Sequence, residues 1–300
     1  MKKIKSVGLF VNTSKANAAG IVEDVSAWLK DRGIAPLLSA EQAVDLGHRQ
    51  TGISKTAVVE QADVLLVLGG DGTLLSAAHT PKIENVPILA INIGTLGFLT
   101  DASLDELYPT LNALLAGAYR IEHRMMLEVV VNSQIQANQG PQPFRAFALN
   151  DVVLRHYTRI IELDAYIDGE LFIPYNVDGL IIATPSGSTG YSLSCAGTIV
   201  APQLEAILLT PIAPHSLTVR PFIAGGDAEI TVKMRAAYQS VDVFVDGQRE
   251  THSLTAGAVI RVRKAERTLQ LIRSKHHSYY RALREKLMLG ERIKHTWRNV

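Results

Sequence analysis

The chain has 300 residues, with 30 Lys and Arg against 29 Asp and Glu, a formal charge of +1, and 47% hydrophobic residues beside 20% charged ones. Such a chain buries a core, which excludes disorder, collagen and coiled coil, and its charge balance gives no basic footprint for a nucleic-acid polymer. The single cysteine, Cys195, excludes an internal disulfide and a multi-cysteine metal site and fits a reducing, cytoplasmic compartment. At roughly 150 residues per domain the length suggests two domains. Val7 to Val11 is too short an apolar stretch for a signal peptide. Val86 to Leu99 is interrupted by Asn92, Gly94 and Gly97 and falls short of the ~20 residues a bilayer needs. A soluble protein without a membrane partner is expected.

In chain order, Ser6 to Val11 reads as a strand, and Ile21, Val25 and Leu29 recur at helical spacing, so 16–32 reads as an amphipathic helix stopped by Gly33. Val64 to Leu68 is a continuous apolar run suited to a strand buried on both faces, and 87–93 repeats it. A helix is expected over 74–79 and another over 104–115. This alternation is the pattern of a parallel, layered α/β sheet. From about His123 the apolar residues alternate instead, as at Leu127, Val129 and Val131, which share one strand face. Asp168-Gly169 and Asp246-Gly247 each lie between strand-like runs, a strong hairpin signal. Further strands follow at Ile230, Val232, Met234 and at Val241, Val243, Val245, so this half reads as an antiparallel β domain. The polar stretch 132–143 reads as a mobile loop, and 278–289 returns to helical spacing.

Three constellations could carry chemistry. Gly69-Gly70-Asp71-Gly72-Thr73 joins a buried strand to a helix start, where backbone N–H groups and the helix dipole form an anion site. A carboxylate inside such a cradle repels phosphate unless a cation or a proton transfer requires it. The helix N-terminus keeps Asp71 ionised, as a base must be, while the bland alternative makes Asp71 a helix N-cap. Asp178 through Ser192 runs a strand into a loop rich in hydroxyls and glycines that ends in an aromatic ring, a mixture suited to a nucleotide but also to an ordinary Pro-Ser-Gly loop. Asn150-Asp151 offers an amide and a carboxylate for ribose hydroxyls, or forms an exposed turn. No P-loop, dinucleotide fingerprint, nucleophile elbow or His-Glu-x-x-His occurs, and the nine scattered His, His276-His277 included, are not read as metal ligands. Cys195 reads as a small buried residue rather than a nucleophile.

Taken in this order, these motifs resemble those of the NAD kinases over most of the chain. Gly-Gly-Asp-Gly-Thr alone is shared with diacylglycerol kinases, sphingosine kinases and phosphofructokinases; Ile93 to Leu99, Asn150-Asp151, Asp178 to Tyr191 and Asp246-Gly247-Gln248 make the combination specific. The resemblance implies an α/β domain over 1–117, completed by a C-terminal helix in 275–300, and a β-rich NAD-binding domain over 118–274, with the active site in the cleft between them. It implies transfer of the γ-phosphoryl of ATP, or of polyphosphate in some members, to the 2′-hydroxyl of the adenosine ribose of NAD, with a divalent metal such as Mg²⁺ and a homo-oligomeric assembly. By the same resemblance Asp71 is the base, and Gly69, Gly70, Gly72 and Thr73 line the ATP phosphates. Asp71, Gly72, Phe98, Asn150, Asp151, Thr189, Gly190, Tyr191, Ser192, Leu193 and Ser194 form the NAD pocket, with Asn176, Asp178 and Gln248 at its far end, partly across a subunit contact. The chain departs from the family pattern with Asp151 for Glu, Gly190 for Ala and Asn176 for Arg, and Arg159 is the candidate to supply the charge lost at Asn176. A lipid or sugar kinase, or a non-catalytic NAD-binding sensor, is the alternative reading.

Overall fold

The computed structural model describes residues 3–47, 52–94, 97–132, 143–156, 158–235, 241–247, 249–254, 257–275 and 278–289. Its first third alternates strands and helices: β1 (Ser6–Val11), α1 (Ala18–Lys30), β2 (Ala35–Leu38), α2 (Ala40–Asp45), α3 (Lys55–Gln61), β3 (Val64–Leu68), α4 (Asp71–Ala78), β4 (Ile88–Asn92), β5 (Ala102–Ser103) and α5 (Leu107–Leu115). Then come β6 (Tyr119–Asn132), β7 (Phe144–Ala148), β8 (Asp151–Arg155), β9 (Ile161–Ile167), β10 (Glu170–Val177), β11 (Gly179–Ala183), the short helix α6 (Tyr191–Ser194), β12 (Ala206–Ile212) and β13 (Phe222–Gly225). β14 (Ile230–Met234), β15 (Val241–Val245), β16 (Glu250–Leu254), β17 (Val259–Ser274) and α7 (Tyr279–Leu287) complete the order. The chain divides into two compact units, one of Met1–Leu74, Ile88–Ile121 and Ile272–Val300, the other of Leu75–Pro87 and Glu122–Leu271.

The first unit is an α/β layer. Its strands run β2-β1-β3-β4, all parallel. Every residue of β3 is buried, as an apolar run with both sheet faces covered must be. Helix α1 places Ile21, Val22, Val25 and Leu29 in one core with Val7, Leu9 and Leu66 of the sheet and Leu107, Leu111 and Leu114 of α5. Each side chain so buried contributes roughly 1.5–3 kcal/mol. The helix stops two residues inside the predicted end, at Lys30, and Gly33 leaves it at φ 71°, a conformation that glycine adopts without strain.

The second unit is built mainly on a β sandwich. Antiparallel strands β10-β9-β14-β17 form part of one sheet, and the other, all antiparallel, runs β13-β12-β11-β8-β15-β16. Leu163, Ile230 and Val262 of the first pack into one core with Leu154, Ile182, Leu209 and Val243 of the second. Both Asp-Gly turns adopt positive φ at the two residues, 51° and 85° at Asp168-Gly169 and 46° and 65° at Asp246-Gly247. The first is a two-residue hairpin pairing Ile167 with Glu170, and the second a wider loop pairing Val245 with Glu250. The stretch 133–142, expected as a loop, lies outside the described residues, as do His276, His277 and the tail from 290.

Candidate active site

The glycine loop of the first unit sits at the carboxyl end of β3, between β1 and β4, where open parallel sheets bind ligands. Gly69 N–H donates to Ile91 O (3.0 Å), and the carbonyl of Gly70 receives Thr73 N–H (2.9 Å) and Leu74 N–H (3.2 Å). Helix α4 therefore opens at Asp71, three residues earlier than its apolar pattern indicated, and Asp71 is a first-turn residue rather than an N-cap. Its carboxylate reaches outward instead. Oδ2 accepts from Phe98 N–H (2.9 Å) and Oδ1 from Leu99 N–H (3.0 Å). A β-carbon at Gly97 would overlap Asp71 Oδ1, so that glycine is what lets the carboxylate close on the 97–99 backbone. A β-carbon at Gly69 would likewise strike the Thr73 side chain. Phe98 is buried with Lys286 Nζ 4.3 Å from its ring centroid, while Gly72 is exposed at the helix start. Thr95 and Leu96 of the predicted motif lie outside the described residues.

In the second unit a cavity of about 260 Å³ is lined by Leu75, Asn150, Asp151, Arg155, Tyr191 and Phe244, among others. Asn150 and Asp151 are set in place by Asp246, whose two oxygens accept the backbone N–H groups of Leu149 (2.8 Å), Asn150 (2.7 Å) and Asp151 (3.1 Å). The fourth bond to Asp246 comes from His79 Nε2 (2.9 Å), and Nδ1 of that ring meets Glu250 (3.0 Å). Burial opposes a charge on His79, but the hydrogen bonds and charges of Asp246 and Glu250 outweigh it and raise its pKa from 6.5 to about 9. Asp151 is raised from 3.8 to about 7, first by burial and then by the charge of Asp246. Asn150 Oδ1 is buried and has no hydrogen-bond partner in the described structure, which leaves an acceptor to be satisfied.

The hydroxyl-rich loop packs under this pair. Thr184 Oγ1 donates to Leu149 O (2.6 Å) and receives Gly187 N–H (3.1 Å), and the buried Arg124 donates to Ser186 Oγ (3.2 Å). A β-carbon at Gly187 would run into the backbone of Asn150, and one at Gly190 would stand 3.5 Å from Asn150 Nδ2. The predicted residues divide accordingly. Asn150, Asp151 and Tyr191 line the cavity, and Gly190 lies beside them. Thr189 donates to Ser186 O (3.2 Å), Ser192 is buried against Thr210 Oγ1 (2.8 Å), Leu193 is half-buried and Ser194 exposed. Asp178 stands 3.6 Å from His215 Nε2, and the exposed Asn176 accepts His215 N–H on its carbonyl (2.9 Å). Neither lines the cavity, Arg159 is exposed, and Gln248 lies outside the described residues. The cation that does line it, Arg155, belongs to no motif in the sequence, although it lies four residues from Asp151 on the same face of β8. His79 and Asp246 were missed as a pair because 167 residues separate them.

Comparison with known proteins gives concordant results. Residues 7–119 match the model of the ATP-NAD kinase N-terminal domain and 149–274 that of the C-terminal domain. A protein of Geotalea daltonii named NAD kinase is 40% identical over 291 residues, spanning 96% of this chain and all of that one. The NAD kinase of Moorella thermoacetica is 42% identical over 289 residues, with 96% and 90% covered. Among solved structures, yeast NADH kinase complexed with NADH superposes with a TM-score of 0.88 at 25% identity, covering 99% of this chain and 91% of that one. An Archaeoglobus fulgidus NAD kinase in complex with ATP shares the fold, with a TM-score of 0.72 at 24% identity and 94% and 98% covered.

Proposed function

The chain belongs to the NAD kinase family and catalyses ATP-dependent phosphorylation of NAD at the adenosine ribose 2′-hydroxyl, giving NADP; from that premise we propose how its own residues divide the work. Asp71 is the base. Its carboxylate takes the proton of the 2′-hydroxyl as that oxygen bonds to the γ-phosphorus, and the bond from phosphorus to the bridging oxygen breaks to release ADP. The observation that carries this is a carboxylate set in a glycine loop and held in orientation by Phe98 and Leu99 N–H. Gly69, Gly70, Gly72 and Thr73 line the donor phosphates at the positive end of α4, the glycines leaving room for phosphate oxygens to approach the backbone. Asn150 and Asp151 receive the nucleoside, supported by the unpartnered Asn150 Oδ1, and Tyr191 offers its ring to the base.

Among the described residues no three His, Cys, Asp or Glu side chains converge as an ion site. A divalent cation, Mg²⁺, is proposed to be held chiefly by the ATP phosphates, as such ions usually are, with one or two carboxylates beside them. When bound it neutralises charge on the transferring group. A homo-oligomer is supported by the exposed Phe172 and Phe222 rings, which stand 4.5 Å apart. The lone free thiol of Cys195 suits a cytoplasmic site. The test is purified protein with NAD, ATP and magnesium, NADP being followed by a coupled dehydrogenase. Turnover of diacylglycerol or a hexose phosphate, with none of NAD, would replace this reading.

A further inference from the structure

Asp246 lines the acceptor cavity but has nothing left to give a ligand. Its side chain is fully buried, and its oxygens receive Leu149, Asn150 and Asp151 N–H at 2.7 to 3.1 Å and His79 Nε2 at 2.9 Å. A carboxylate accepts about four such bonds, so its role is to hold the segment that carries Asn150. The backbone returns the contact, since Asp246 N–H donates to Asp151 O (3.0 Å). What fixes Asp246 from the other side is His79, the residue directly after α4, whose second nitrogen is tied to Glu250 at 3.0 Å.

We propose that His79 is a positioning residue for NAD binding: it clamps the Asp246 carboxylate against the 149–151 backbone and thereby aims Asn150 and Asp151 at the acceptor nucleoside. The inference rests on the reading of Asn150 and Asp151 as the nucleoside site given above. A charged ring is needed, because a neutral imidazole has one N–H and could serve only one of the two carboxylates. Without it, Asp246 would keep only its three backbone donors against the neighbouring Asp151. The groups facing this cluster are Asp246 and Glu250 against His79, Asp151 against Asp246, and Arg267 against Glu250. Deprotonation of His79 should therefore loosen NAD without touching ATP.

Three variants and a pH series test it. His79→Gln should raise KM for NAD about tenfold or more, the scale of one lost charge-assisted bond, with KM for ATP unchanged. His79→Arg, which keeps the charge and both donors, should recover most of that loss. In the wild type KM for NAD should climb as pH rises through about 9. Glu250→Gln removes the half-exposed partner and should move that climb to lower pH, which keeps the idea testable if His79→Gln fails to fold. A folded His79→Gln protein with wild-type KM for NAD, or a climb indifferent to Glu250→Gln, overturns the proposal. Failure of the underlying site reading looks different: Asn150→Ala would then leave KM for NAD unchanged.

Discussion

Replacing Asp71 by Asn separates chemistry from support, because the proposed base is also a structural acceptor. It accepts Phe98 N–H at 2.9 Å and Leu99 N–H at 3.0 Å. An amide keeps one acceptor and turns its NH₂ toward the other donor, so one bond is lost and two donors oppose each other. Bonds to charged groups contribute about 1.5–3 kcal/mol, so Asp71→Asn should cost about 2 kcal/mol of stability, or roughly 4–8 °C in melting temperature for a domain of this class. Loss of a general base lowers kcat by ~10²- to 10⁴-fold, about 3–5 kcal/mol of barrier. The two effects are resolved by measuring the coupled NADP assay well below the variant's melting temperature, beside a thermal melt and NAD titration. KM for NAD should move little. Gly97→Ala is the companion variant, since its β-carbon would push the carboxylate aside while leaving it in the protein. It too should lose activity. If Asp71→Asn melts lower but turns over at the wild-type kcat, Asp71 is a structural tie between α4 and the 97–99 backbone, and the base lies elsewhere.

NAD at a hundred times its Kd should protect against heat by about 2.7 kcal/mol, and 2′-deoxy-NAD should protect equally yet accept no phosphate; phosphorylation of the deoxy compound would remove the 2′-hydroxyl from the reaction. Asp151 has a pKa raised from 3.8 to about 7, so its ionisation costs the fold stability that is present at low pH and lost as pH rises between those values. Asp151→Asn should flatten the difference in melting temperature between pH 5 and pH 8, and equal slopes in both proteins would contradict the assigned burial. Gly187→Ala drives a β-carbon into the Asn150 backbone and should cost 1–3 kcal/mol or more together with NAD affinity, as read by denaturant melts and titration calorimetry. Arg155→Met should weaken NAD binding and flatten its salt dependence, whereas Arg159→Ala at an exposed position should do neither; the reverse result would return the phosphate-facing charge to Arg159.

The elements most legible in the sequence are those whose signal is local. The β3 run needs both faces covered whatever surrounds it, and Asp168-Gly169 must turn because its residues tolerate positive φ. The glycine loop was legible for the same reason, since a strand, glycines and a helix start are consecutive. What the sequence misread is the start of α4. Apolar periodicity begins at Leu74, but the helix is opened by backbone bonds to Gly70 O, which leave no mark on side-chain pattern. That displacement decides Asp71, which as an N-cap would turn its carboxylate into its own helix and as a first-turn residue turns it outward.

Long-range pairing is the other thing pattern cannot carry. Asp246 reads as half of a hairpin dipeptide, and that reading is right about the backbone. The same turn also delivers a buried carboxylate to Leu149, Asn150 and Asp151, about a hundred residues away, and to His79, 167 residues away. A turn needs only the αL tolerance of Asp, and Asn would serve it equally. A buried acid that collects three backbone donors and an imidazolium needs the charge. Asp246→Asn would therefore keep the hairpin and break the clamp, so the functional demand on this residue exceeds the conformational one that made it visible.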